Sequence, residues 1–190
     1  MLDQAMNDSK TKQLDALLQN YLDLGAAMYG GEAVTQLEHA LQCAHLSLAA
    51  GDAPPLVAAC LLHDVGHLLS HQSPKSSDDP DDHHEQVAMI HLQNLFGPEV
   101  TQPILMHVNA KRYLCAVDEQ YWSDLSQASK DSLEIQGGIY RPKQALEFMG
   151  LPFAKDAIKL RQYDDLAKVP QRVTPQLHEF RPMLEQLLLA

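Results

Sequence analysis

Several things are scarce in this sequence. Aromatic residues make up 6% of its 190 positions, while Ala and Leu are abundant. That composition leans toward helix. Cysteines number three, Cys43, Cys60 and Cys115. They cannot all pair, and two lie in apolar helical runs. A disulfide scaffold is excluded, and a reduced, cytoplasmic protein is expected. Positive charge is also short. Fourteen Lys and Arg stand against 25 Asp and Glu, for a formal net charge of -11. No basic cluster or basic-aromatic stripe compensates, so nucleic acid is not an expected partner. No apolar run is long enough to cross a bilayer, and the start, Met1-Leu2-Asp3-Gln4, lacks a basic region leading into an apolar one. Neither a membrane partner nor a signal peptide is expected.

Internal repeats and strand alternation are missing as well. What remains is helical periodicity, with 45% apolar residues to supply a core. Residues 11–28 carry Leu14, Leu17, Leu18, Tyr21, Leu22 and Leu24 at helix spacing, ended by Gly30-Gly31. A second helix is predicted from Thr35 to Ala50, with Leu37, Ala40, Leu41, Ala44 and Leu48 on its apolar side. Gly51-Asp52-Ala53-Pro54-Pro55 is a turn, and Pro55 suits the first turn of a third helix. Residues 71–82, rich in Ser, Asp and Pro, read as a solvated loop. His83-His84-Glu85 opens the next helix, with Val87, Ile90, Leu92, Leu95 and Phe96 apolar, stopped by Gly97-Pro98. Further helices are predicted over Val100–Leu114, between Pro142 and Gly150, and over Phe153–Lys168. Thr174 and Pro175 start a last one that closes at Leu189. The fold class is all-α, as one domain spanning residues 1–190.

Ten histidines is many for this length. The centre of the pattern is Leu61-Leu62-His63-Asp64-Val65-Gly66-His67. An adjacent His-Asp pair offers a nitrogen and a carboxylate to one metal, or lets the carboxylate bridge two. If the stretch is helical, His67 shares a face with His63. His39 precedes the pair, His84 and His107 follow it, and Asp164 comes last. His45, His71, His91 and His178 have no partner in this pattern and are expected on loops or the surface.

A lone histidine, then His-Asp, then a distant Asp resembles the HD-domain superfamily. The likeness runs from about Tyr29 to Lys168, and most members with this pattern are metal-dependent phosphohydrolases. Finer features narrow it. Tyr29 and Glu32 precede His39. His107-Val108-Asn109-Ala110-Lys111-Arg112-Tyr113-Leu114 follows His84, and Leu133-Glu134-Ile135-Gln136-Gly137-Gly138 follows Ser129. This combination is similar to the diiron oxygenases of organophosphonate catabolism. There an Fe(II)/Fe(III) pair uses O2 to oxidise and cleave the C–P bond of a 1-hydroxyphosphonate.

The resemblance implies a helical HD-type bundle and two irons. His39, His63, Asp64 and Asp164 would hold one iron. His84, His107 and a bridging Asp64 would hold the other. His83 is the rival of His84, which is preferred because it directly precedes Glu85. Lys111 lies one turn past His107 and, with His67 and Ser129, would cradle the phosphonate. His67 and Lys111 are also the candidate catalytic groups. Arg161 would assist, or pair with Asp165. Tyr29 would guard an iron position until substrate displaces it, and Glu32 would meet a substrate amine. The expected substrate is 2-amino-1-hydroxyethylphosphonate, giving glycine and phosphate. Trimethylammonio and unsubstituted hydroxymethyl versions are the alternatives. The second reading of the same residues is a phosphohydrolase of nucleotides or phosphoesters, in which metal-bound hydroxide attacks phosphorus and no O2 is consumed.

Overall fold

The computed structural model describes residues 2–70 and 83–189, with side chains for all of these except residues 2–7 and Ser70. The expected loop at 71–82, with His71, lies outside the described residues. Among the described residues the chain forms eleven helices. They are α1 (Leu2–Leu24), α2 (Gln36–Ala49), α3 (Pro54–Leu62), α4 (Val65–Ser70), α5 (His84–Leu92), α6 (Pro98–Val117), α7 (Glu119–Asp124), α8 (Gln127–Ile135), α9 (Pro142–Met149), α10 (Ala154–Leu166) and α11 (Leu177–Gln186). The only strand-like pairings among them are two isolated bridges, Met28 with Thr35 and Phe96 with Leu188. The all-α expectation therefore holds.

The middle of the bundle is α3. Pro54 and Pro55 occupy its first turn, where a missing N–H costs nothing, and every residue from Leu56 to Leu62 is buried. A helix apolar on all sides belongs inside a bundle. It packs against α2, α6, α10 and α11. Leu14, Leu17, Leu61, Leu62, Leu92, Ile104, Leu160 and Leu184 join one core drawn from α1 to α6, α10 and α11. Each buried leucine contributes roughly 1.5–3 kcal/mol relative to exposure. Smaller clusters gather Met106, Phe148 and Ala157, and Cys115, Leu125 and Leu133.

Two local devices aim the chain at its centre. Thr35 caps α2: its hydroxyl accepts from Glu38 N–H at 3.2 Å, and Glu38 accepts from Thr35 N–H at 2.8 Å. This starts the helix four residues before His39. At Gly66, a Cβ would stand 1.9 Å from the His84 carbonyl oxygen. Only glycine lets α4 lie this close to α5, which sets Asp64 against His84.

Several expectations need correction. The first helix ends at Leu24, not near residue 28. Gly25 approaches α2 so closely that a Cβ would touch Leu37, and Leu37 N–H donates to the Gly25 carbonyl. Residues 25–35 are thus a closed loop, which carries Glu32. The His63-Asp64 pair is not inside a helix but at the break between α3 and α4. Leu22, Leu48 and Ile90, assigned to apolar faces, are 58%, 50% and 64% exposed. The last helix is capped by Gln176 rather than Thr174, through a reciprocal pair with Glu179, and ends at Gln186. Helices α7 and α8 were not foreseen in a polar stretch. They form on the caps Asp118 and Ser126.

Candidate metal centre and substrate cavity

His39 comes from α2, His63 and Asp64 from the α3–α4 break, His84 from α5, His107 from α6 and Asp164 from α10. The fold brings these six together, all buried. They form two groups of three ligand atoms, each within 4.8 Å: His39, His63 and Asp164; Asp64, His84 and His107. In the first, the Nε2 atoms of His39 and His63 are 3.2 Å apart, and His39 Nε2 lies 3.4 Å from Asp164 Oδ1. In the second, the Nε2 atoms of His84 and His107 are 3.0 Å apart. Asp64 faces both. Its Oδ2 is 3.2 Å from His63 and 3.6 Å from His39, while its Oδ1 is 3.3 Å from His84 and 3.6 Å from His107.

The ring orientations have a cause. Nδ1 of His39 lies 3.0 Å from the Ala167 carbonyl, that of His63 2.9 Å from Cys60, and that of His107 2.7 Å from Ile104. A carbonyl accepts only, so each Nδ1 carries the proton and donates. Each Nε2 then turns a lone pair inward. On His84 the flanking group is Glu85, with Oε2 3.8 Å from Nδ1. Asp64 Oδ2 is buried and receives no hydrogen bond. Three inward lone pairs, the His84 ring and two carboxylates form a donor set that fits metal ions such as iron.

The buried carboxylates draw positive charge into the centre. Burial opposes protonation of His63, but Asp64 and Asp164 outweigh it and push its pKa up to about 9. Burial and the neighbouring His84 hold His107 well below the ordinary value. Asp64 stays well below the carboxylate range: burial raises it, and the attraction of His63 overcomes this.

The two groups lie at the base of a cavity of about 450 Å³, which Asp64, His84, His107 and Asp164 line directly. All six expected substrate residues line it: Tyr29, Glu32, His67, Lys111, Ser129 and Arg161. Tyr29 stacks on His39 with ring centroids 3.8 Å apart, and its hydroxyl is 3.5 Å from Asp164 Oδ1. His67 stacks on His84 at 4.0 Å, and its Nε2 is 4.0 Å from Asp64 Oδ1. It reaches the site although the helix breaks before it. Lys111 is buried and donates to Ser132 Oγ at 2.8 Å. Among the described residues no carboxylate pairs with it. Burial, then the Arg161 charge, lower its pKa to about 7. Arg161 bridges Asp164, with Nη1 2.7 Å from Oδ2, and Asp165. The pairing with Asp165 is therefore present, and Asp164 shares the same guanidinium. His84 enters the second group, and His83 is the residue before α5, in left-handed conformation.

One premise changes. Glu32 is not a free carboxylate: Lys168 Nζ lies 3.0 Å from its Oε1, and Ser126 donates to the same oxygen at 2.7 Å. Lys168, Ser126 and Ser132 were missed from the sequence. Ser132 stands three residues after Ser129, and Lys168 four after Asp164. Helical spacing could have nominated Ser132, whereas Lys168 lies past the end of α10 and is brought to the site by the chain that follows it.

The HD-domain family profile matches residues 37–133. The chain belongs to the HD-domain family. Its relatives include the hydroxymethylphosphonate dioxygenase of Gimesia maris, 41% identical over 184 residues, covering 95% of this chain and 91% of the relative. The [1-hydroxy-2-(trimethylamino)ethyl]phosphonate dioxygenase (glycine-betaine-forming) of Leisingera caerulea is 36% identical over 165 residues, covering 86% and 84%. An uncharacterised protein of Acanthamoeba polyphaga mimivirus is 30% identical over 180 residues, covering 93% and 82%. The resemblance drawn from the His and Asp motifs is thereby shown. No described helix is long and apolar enough to cross a membrane.

Proposed function

We propose that this chain is an iron-dependent oxygenase that uses O2 to cleave the C–P bond of a 1-hydroxyphosphonate. The observation that carries the reading is Lys111, a buried cation whose partner among the described residues is only a hydroxyl, beside two His/carboxylate groups. A buried unpaired charge is costly. An anionic ligand in the cavity supplies its missing partner and restores its protonated form. The relatives named above, dioxygenases of two different 1-hydroxyphosphonates, support the same reaction class.

His39, His63, Asp64 and Asp164 would hold one iron, and Asp64, His84 and His107 the other, as an Fe(II)/Fe(III) pair with Asp64 between them. Bound iron supplies open positions for the substrate oxygens and the electron transfer that O2 chemistry requires. The chain's own residues do the rest. Lys111 and Ser129 hold the phosphonate oxygens, Lys111 through a charge-assisted bond, and Arg161 holds Asp164 in place. His67, on the cavity wall beside Asp64, takes the proton of the 1-hydroxyl. Tyr29 keeps the position beside His39 and Asp164 closed until the 1-hydroxyl arrives. Hydroxymethylphosphonate and O2 balance to formic acid and phosphoric acid. 2-Amino-1-hydroxyethylphosphonate gives glycine and phosphate, and that substrate needs Glu32 released from Lys168.

The test is anaerobic iron reconstitution followed by phosphate release from a panel of 1-hydroxyphosphonates and nucleotides. Phosphate should appear from a phosphonate only after O2 is admitted. Equal release without O2, or release from nucleotides alone, would establish the phosphohydrolase instead.

A further inference from the structure

The cavity wall carries more charge than the reaction above uses. Arg161 is spent on Asp164 and Asp165. Lys111 faces a hydroxyl. The remaining pair is Glu32 and Lys168, which lie 136 residues apart and close one side of the cavity. Lys168 Nζ sits 3.0 Å from Glu32 Oε1 and 3.0 Å from Ser129 Oγ, and 5.8 Å from the Tyr29 ring centroid. Both side chains are more than four-fifths buried, at 13% and 18% exposed. Burial raises the Glu32 carboxyl, and Ser126 and Lys168 outweigh it, so Glu32 is held below its ordinary value as an anion.

Outside the metal-facing carboxylates, the described wall therefore offers one unmatched cation and no unmatched anion. A ligand with an anionic end and a neutral body satisfies this wall as it stands. A ligand that also carries an ammonium group must break the Glu32–Lys168 pair. Lys168 is then left with the Ser129 hydroxyl alone, in a partly dried cavity. Losing one charge-assisted hydrogen bond is worth about ten- to hundredfold in binding.

We infer that Lys168 determines specificity: by neutralising Glu32 it selects 1-hydroxyphosphonates with an uncharged substituent on C1 and excludes those bearing an ammonium group. This rests on the reading that the cavity takes a 1-hydroxyphosphonate. The neutral substituent meets Val108, Ala128 and Ile135, which line the same cavity.

The experiment compares hydroxymethylphosphonate with 2-amino-1-hydroxyethylphosphonate in the iron-loaded protein. It uses kcat/KM in O2 and, independently, anaerobic titration calorimetry. The wild type should favour hydroxymethylphosphonate by about ten- to hundredfold in both. Lys168→Met should raise affinity for the aminated compound by about a hundredfold or more, because the pair no longer has to be broken and the freed Glu32 adds a charge-assisted bond, and should reverse the preference. Lys168→Arg should keep it. The double variant Glu32→Gln/Lys168→Met should show no preference. If Lys168→Met does not fold, Lys168→Gln, which keeps a hydrogen bond without the charge, takes its place. A wild type that favours the aminated compound overturns the inference, as does a Lys168→Met that loses both substrates equally. If calorimetry shows the preference and its reversal but no phosphate is released, the selectivity stands and the oxygenase reading falls. Equal binding of both compounds overturns the selectivity whatever the turnover.

Discussion

The floor and the rim of the cavity are built on different principles. The floor residues His39, His63, His84, His107, Asp64 and Asp164 are at most 5% exposed. Three of their four rings are oriented by main-chain carbonyls. The rim residues Glu32, Ser126, Ser129 and Lys168 orient one another through side chains, from a loop, a helix cap and the segment after α10. Deeply buried donors on helices hold metal ions at a fixed geometry. A less deeply buried network of hydroxyls and one ion pair lies above them.

The sharpest test removes the shared carboxylate. Asp64→Ala should leave the reconstituted protein with neither of the two proposed irons, since Asp64 faces both groups. Metal analysis at one ion per chain in fully reconstituted wild type would break the two-site assignment.

Next comes the contact that seats α4 on α5. Gly66→Ala drives a Cβ into the His84 carbonyl. It should destabilise the protein by about 3 kcal/mol, at the upper end of overpacking costs, and should reduce iron occupancy. Thermal unfolding and metal content check it. An unchanged melting temperature would mean that α4 shifts freely. His84→Ala should lose only the second iron and retain the one at His39, His63 and Asp164.

Lys111→Met separates binding from stability. KM for the phosphonate should rise by about ten- to hundredfold, as for a lost charge-assisted bond. The ligand-free fold should gain at least about 1 kcal/mol, because a buried charge with only a hydroxyl partner is removed. The sign with pH follows from the pKa of about 7, below the ordinary 10.5. The unfolded chain binds the proton more tightly, so the penalty is full below about pH 7 and fades as pH rises toward 10.5. The advantage of Lys111→Met should shrink over that interval. A constant gap would place the gain in packing rather than charge.

The smallest effect belongs to the boundary between rim loop and floor helix. Thr35→Ala should cost about 1 kcal/mol through loss of the α2 cap. Denaturant melts would show it. No change would mean that the Met28–Thr35 bridge alone holds the helix start.

The floor was legible because its ligands sit in chain order on periodic helices. His39, His63-Asp64, His84, His107 and Asp164 could be picked out before any coordinate. The break at His63-Asp64 was not legible, since Leu61 through Leu69 reads as one apolar helix. Nor was Gly66, whose role depends on an atom of His84 that no periodicity places. The rim was legible residue by residue but not as a network. Glu32 and Lys168 are paired only by the fold, and an isolated glutamate in a sequence looks free to meet an amine. Helices α7 and α8 escaped because polar sequence gives no apolar stripe. They depend on the caps Asp118 and Ser126.

The carbonyls of Cys60, Ile104 and Ala167 have a consequence for how this protein can vary. A main-chain oxygen is present whatever residue carries it. Substitution at those three positions leaves the acceptor in place so long as the helices keep their course. The rim has no such protection, because each of its partners is a side chain that one codon change removes. The metal chemistry is thus insulated from sequence drift, while the choice of substrate is exposed to it. A lineage built on this scaffold can exchange one phosphonate for another without rebuilding its metal centre.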